Sequence, residues 1–187
     1  DLFTRLRRAE AGVAMIEFAF AAPLFLMLVL VGLELTNLAL AHLKVSQMAM
    51  TVADNAGRVE TGIDEANIHE VFAGAGTIGG GLDFADHGRI VLTSLEPNGQ
   101  NGGNAGQWIR WQRCWGAQAV DPAYGEEGEG AVDDSLEAGL GPAGKRIAAA
   151  PNTALMFVEA VYDYLPLLAY DFFEPSILRY ETAFNVR

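Results

Sequence analysis

An uninterrupted apolar run of sixteen residues, 18–33, closed by Glu17 at one end and Glu34 at the other, limits what this chain can fold into. A helix in a soluble protein keeps one polar face. A helix that is apolar all round needs a bilayer, or a core wrapped around it. Sixteen residues rise roughly 24 Å as a helix, a little short of a hydrocarbon core of about 30 Å. Both acids then fall near the interfaces rather than at the midplane. The expectation is a transmembrane helix over residues 13–35. Pro23 lies inside it, which would kink a soluble helix but is tolerated in a membrane one. A secretory signal fits less well, because its apolar core is shorter and a small-x-small cleavage site follows it.

Charge gives the span a direction. Arg5, Arg7 and Arg8 precede it, and Lys44 is the one base within a dozen residues after it. The positive-inside rule therefore predicts a cytoplasmic N-terminus and an external C-terminal part. Over the whole chain of 187 residues the formal charge is −12, so no basic surface is available to displace counterions from nucleic acid.

The junction between the basic stretch and the span reads Gly12-Val-Ala-Met-Ile-Glu17-Phe-Ala-Phe-Ala-Ala-Pro-Leu-Phe-Leu. A carboxylate inside apolar helix costs on the order of 2.5–3.5 kcal/mol on insertion scales, so Glu17 is a functional candidate by default and wants a cationic partner. Counted from Val13, Glu17 is the fifth residue. The arrangement resembles the processing site of type IV pilin-like proteins, and the wider run resembles the TadE-like (TadE/TadG) minor pilins of tight-adherence (type IVc) pilus systems. The resemblance implies a leader, residues 1–12, removed by a prepilin peptidase between Gly12 and Val13. It also implies that Glu17 serves subunit assembly, meeting the new terminal amine of a neighbour. The implied partners are other pilin or pseudopilin subunits, the peptidase, the inner-membrane assembly platform and the lipid bilayer. Glu34, outside that register, is expected to matter less. The alternative is a single-pass adaptor that keeps its leader and never enters a filament.

The helix is expected to continue past the membrane. Leu38, Ala41, Val45, Met48, Ala49 and Val52 recur every three or four residues, giving an amphipathic stretch over residues 36–57 that stops at Gly57. Residues 58–187 then form an extracytoplasmic domain. A short helix is predicted over residues 63–72, capped by Asp64 or Thr61. Gly74-Ala-Gly76-Thr-Ile-Gly79-Gly80-Gly81 matches G-x-G-x-x-G literally, but no strand precedes it, so it reads as a connector. A hairpin follows over residues 89–96 and 107–115. In its second arm Ile109, Trp111, Arg113 and Trp115 alternate with Trp108, Arg110, Gln112 and Cys114. Residues 153–164 and 176–187 are the remaining strands. Val158-Glu-Ala-Val-Tyr-Asp-Tyr-Leu-Pro-Leu-Leu168 again resembles TadE-like and TadG-like proteins. The fold class expected is α+β and pilin-like: a long N-terminal helix packed on an antiparallel sheet of about four strands.

Residues 116–151 are rich in Gly, Ala and acids and read as a flexible, solvated loop, because acidic low-complexity stretches resist packing. Their spacing is not that of a calcium loop. The single cysteine, Cys114, excludes an internal disulfide and is expected to pack beside its tryptophans. His42, His69 and His87 are scattered, and neither H-E-x-x-H nor G-x-S-x-G occurs. No enzyme, cofactor or metal site is expected.

Overall fold

The structure, a computed structural model, describes residues 10–59, 62–168 and 175–186. They divide into two compact units, residues 10–39 with 166–168, and residues 40–165 with 175–186. Helix α1, Glu10–Gly57, runs through both.

In the first unit α1 turns its large apolar side chains outward. Phe18, Phe20, Leu24, Phe25 and Leu28 are all exposed, and none of the most apolar window of the helix is buried against protein. Among the described residues this is the one helix long and apolar enough to cross a membrane. Pro23 sits inside it without ending it.

In the second unit the helix changes character. Ala41, Val45, Met48, Ala49, Val52, Ala53 and Ala56 are all at most 1% exposed. They carry the predicted stripe from Ala41 on and extend it by Ala53 and Ala56, while Leu38, its predicted first member, is half-buried; small residues dominate this face, so the helix lies close on what it covers. Gly57 completes the approach. A Cβ there would meet the carbonyl oxygen of Asn185 at 3.3 Å, so a side chain would push the helix end off the last strand.

The sheet has four antiparallel strands in the order β2-β1-β3-β4, with β1 Gly88–Pro97, β2 Gln107–Trp115, β3 Leu155–Tyr164 and β4 Ser176–Asn185. The two central strands are buried almost throughout, without an in/out alternation. Such a pattern means that both faces of the sheet are covered. Helices cover one face. Helix α2, Glu65–Ile78, starts in a capping box: Asp64 accepts from the Asn67 amide at 2.8 Å, and the Asn67 side chain accepts from the Asp64 amide. Thr61, the other candidate cap, lies outside the described residues. Helix α3, Phe84–His87, puts Phe84 between Trp115 and Tyr162, each ring stacked on it at 5.7 Å between centroids.

Residues 116–151 lie on the other face, and although most of the segment is exposed, part of it packs into the core. Leu136, Leu140 and Ala149 are buried in one cluster with Leu95, Ile109, Leu155 and Phe157, and Tyr124 packs edge-on against Phe157. The acids of the segment are carried on the outside of this layer, and Val132 and Ile147 are exposed with them, while Leu136, Leu140 and Ala149 face the sheet. Its glycines let backbone approach backbone. Gly139 has φ +83°, and a Cβ there would lie 2.1 Å from the Ile147 carbonyl oxygen, across the Leu140–Ile147 bridge. Gly139→Ala should lower the stability of the detergent-solubilised full chain by at least about 1–3 kcal/mol, the scale of strain for a side chain in left-handed backbone. Gly103→Ala, where the space is open, is the control and should be near neutral. Equal denaturation midpoints for the two variants would show that residues 116–151 are not packed as described.

Three further expectations change. Helix α2 runs past residue 72 to Ile78, so Gly74 and Gly76 are helical, and Trp115 sits where a Gly76 side chain would begin, 3.4 Å from an ideal Cβ. Gly76 therefore packs against a ring rather than serving as a connector, while the space at Gly74 is open. Strand β2 does not alternate simply. Ser94 pairs with Trp111 and Leu95 with Ile109, leaving Arg110 as the extra residue of a bulge. Ile109 and Trp111 therefore face opposite sides of the sheet: Ile109 enters the cluster under residues 116–151, and Trp115 packs with the helices. Cys114 lies on this edge strand and is exposed, not packed.

Candidate functional site

The junction singled out in the sequence lies on α1. The helix is described from Glu10 onward, so the Gly12–Val13 bond lies in helical backbone, and nothing lies within 4 Å of where a Gly12 side chain would begin. Arg5, Arg7 and Arg8 lie outside the described residues. Val13 and Glu17 are four residues apart, which places them on one face, one turn above the other. Glu17 is exposed. Around it Val13, Met15, Ile16, Phe18 and Phe20 are exposed as well, from 59% to 79%. A carboxylate thus stands in the middle of an outward apolar surface, a costly position in lipid unless something cationic approaches it from outside the chain.

The second acid behaves differently. Glu34 is 2% exposed, although Leu33 and Leu35 beside it are 58% and 55% exposed. One of its carboxylate oxygens accepts hydrogen bonds from the backbone amides of Leu167 and Leu168, at 3.0 and 3.1 Å. The sequence shows Glu34 only as the end of an apolar run. These two amides are more than 130 positions away, and backbone amides carry no residue-type signal, so nothing in the sequence could pair them with Glu34.

The sheet unit carries one further acidic pair. Glu159 and Glu181 face each other across β3 and β4. Glu159 is buried and accepts from the Ala123 amide at 3.0 Å. Burial pushes its carboxyl above the usual range, the amide works against that, and the facing Glu181 adds to it. Tyr124 donates to Glu181, and burial with that hydrogen bond pushes its phenol up to about 12. These groups tie residues 116–151 to the sheet. An open cleft lined by Glu96, Pro97, Gly99, Asn152 and Thr153 holds one ionisable side chain, Glu96, which Arg110 pairs at 2.9 Å. Among the described residues no three His, Cys, Asp or Glu side chains are grouped to hold a metal ion.

No curated protein and no solved structure matches this chain. The late strand that also resembles the TadE-like proteins lies outside the segment a family model covers. That segment takes in the Gly12–Glu17 junction, the outward apolar stretch and most of the buried stripe of α1: residues 12–54 match the family model described as TadE-like protein, a family associated with tight-adherence pilus systems.

Proposed function

We propose that this chain is a membrane-anchored minor pilin or pseudopilin that helps assemble, initiate or cap a tight-adherence pilus. The observation that carries the reading is the position of Glu17: exposed, four residues past Val13, on an apolar surface and inside the matched segment. A carboxylate in low dielectric is best compensated by a nearby ammonium, and cleavage after Gly12 would create one at Val13 of each subunit. Residues 13–35 cross the inner membrane, and residues 58–187 lie outside the cytoplasm. The TadE-like family is not known for enzymatic activity, and we assign none to this chain.

The alternative, an unprocessed single-pass adaptor of a pilus or secretion platform, has one observation in its favour: the Gly12–Val13 bond lies within helical backbone, which a peptidase would have to unwind.

Both readings demand the same topology, and it can be tested directly. A reporter enzyme active only outside the cytoplasm, fused after Arg187, should be active, because three arginines precede the span against Lys44 after it. A stable but inactive fusion would reverse the orientation and remove the pilin reading.

A further inference from the structure

Leu167 is 72% exposed, yet its backbone amide is bonded to a carboxylate that is 2% exposed. A water-facing loop does the reverse, giving its amides to solvent and turning leucine inward. Here both amides of residues 167–168 are satisfied inside the protein while the Leu167 side chain points out and Leu168 is half-buried. The contact is made at Glu34, the residue that ends the apolar run of α1, beside the exposed Leu33 and Leu35.

We propose that residues 166–168 form a second contact with the bilayer, seated at the interface on the outer end of the span and held there by Glu34. The proposal rests on the reading that residues 13–35 cross a membrane. Irregular backbone near hydrocarbon is tolerated only where its amides find partners within the protein. Glu34 supplies that partner for two consecutive amides. An acid at the end of a span, otherwise a cost, becomes the acceptor that lets a non-helical segment lie against lipid. A protein partner is the rival occupant. A stable protein interface buries about 800 Å² on each side, far more than one exposed leucine with a half-buried proline and leucine can provide. The exposed apolar surface of α1 also continues up to Leu35, so the medium that solvates Leu33 and Leu35 reaches the level of the Glu34 contact.

The test uses the full chain reconstituted in phosphatidylcholine–phosphatidylglycerol vesicles, with Cys114→Ser removing the native thiol. Single cysteines at Phe25, Val132 or Leu167, all exposed positions, carry an environment-sensitive fluorophore. Lipids brominated shallow or deep in the acyl chain act as quenchers. The label at 167 should be blue-shifted and quenched by the shallow bromines, the label at 25 by the deep ones, and the label at 132 by neither. Glu34→Ala should cut quenching at 167 at least two-fold while quenching at 25 persists. Glu34→Gln keeps an acceptor oxygen and should retain it. A label at 167 that behaves like the one at 132, while 25 is quenched, overturns the contact and leaves the span intact. An unquenched label at 25 removes the span and the contact together. Shielding at 167 that grows with protein density and ignores bromine assigns the surface to a second copy and overturns the proposal. Quenching at 167 that survives Glu34→Ala overturns the role of Glu34.

Discussion

Glu17→Ala is expected to leave the chain in the membrane at normal or higher levels and to abolish surface pili. The two effects have opposite signs, and that makes the variant informative. Removing a carboxylate from apolar helix favours insertion, by up to about 2.5–3.5 kcal/mol at the bilayer centre and less toward the interface, so the protein should not be lost. Assembly should fail because the group that meets a neighbouring subunit's amine has gone. The side chain is exposed and its neighbours Ile16 and Phe18 are exposed too, so the substitution disturbs no packing within the chain. The comparison acid must be chosen with the structure in view. The sequence alone suggests that Glu34→Ala would be mild, but alanine there would strip two leucine amides of their acceptor. Glu34→Gln keeps an acceptor and should leave piliation close to normal. The measurement is membrane level by immunoblot and surface pili by microscopy, in a strain lacking the chain and complemented with each variant. Normal piliation with Glu17→Ala, or equal defects from Glu17→Ala and Glu34→Gln, would remove Glu17 from the mechanism.

Periodicity and turn chemistry carry most of what the sequence reveals here. The stripe from Ala41 to Val52 predicts the face of α1 that is buried, and strands over residues 89–96 and 107–115 appear as β1 and β2. These are local signals, set by spacing within one element. The errors arise where a distant part of the chain decides. Residues 116–151 look like a solvated loop because they hold few apolar side chains. Yet Leu136, Leu140 and Ala149 suffice to seal one sheet face, because glycines bring backbone close enough for hydrogen bonds to supply the rest. Composition averages over the segment and cannot see that three residues share one cluster. The bulge at Arg110 is equally hidden: a strict alternation from Trp108 to Trp115 fits the residue types, and only pairing with β1 shows that Ile109 has changed sides. Cys114 follows from the same pairing, since an edge strand leaves it exposed although its neighbours suggest a core. For the candidate site the contrast is sharper. Glu17 is legible because an acid in an apolar run is costly wherever the rest of the chain lies. Glu34 has the same signature and the opposite environment, and the two amides it accepts from have no sequence identity to read.

Coexpression with the cognate prepilin peptidase should convert the chain to a form whose first residue is Val13. This is the sharpest division between the two functional readings, since an adaptor and a pilin share the span, the orientation and the external domain. Three features meet at the bond. A basic stretch precedes it, Gly12 leaves the backbone bare on the N-terminal side of the bond, and Glu17 stands one helical turn beyond Val13. The bond lies in helical backbone, which Gly12 weakens by roughly 1 kcal/mol relative to alanine. Cleavage would also change the electrostatics of the helix end. A neutral amide becomes an ammonium on the same face as Glu17, so the carboxylate of one subunit and the amine of its neighbour become complementary only after processing. Processing is then a licence for assembly, and a leader-retaining chain should accumulate in the membrane without entering pili. Intact mass and N-terminal sequencing of the membrane-extracted protein, with and without the peptidase, decide the matter. An unshifted mass, with the peptidase shown to be active on another substrate, would leave the adaptor reading in possession. A shifted mass with an N-terminus other than Val13 would move the register and take Glu17 out of its fifth position.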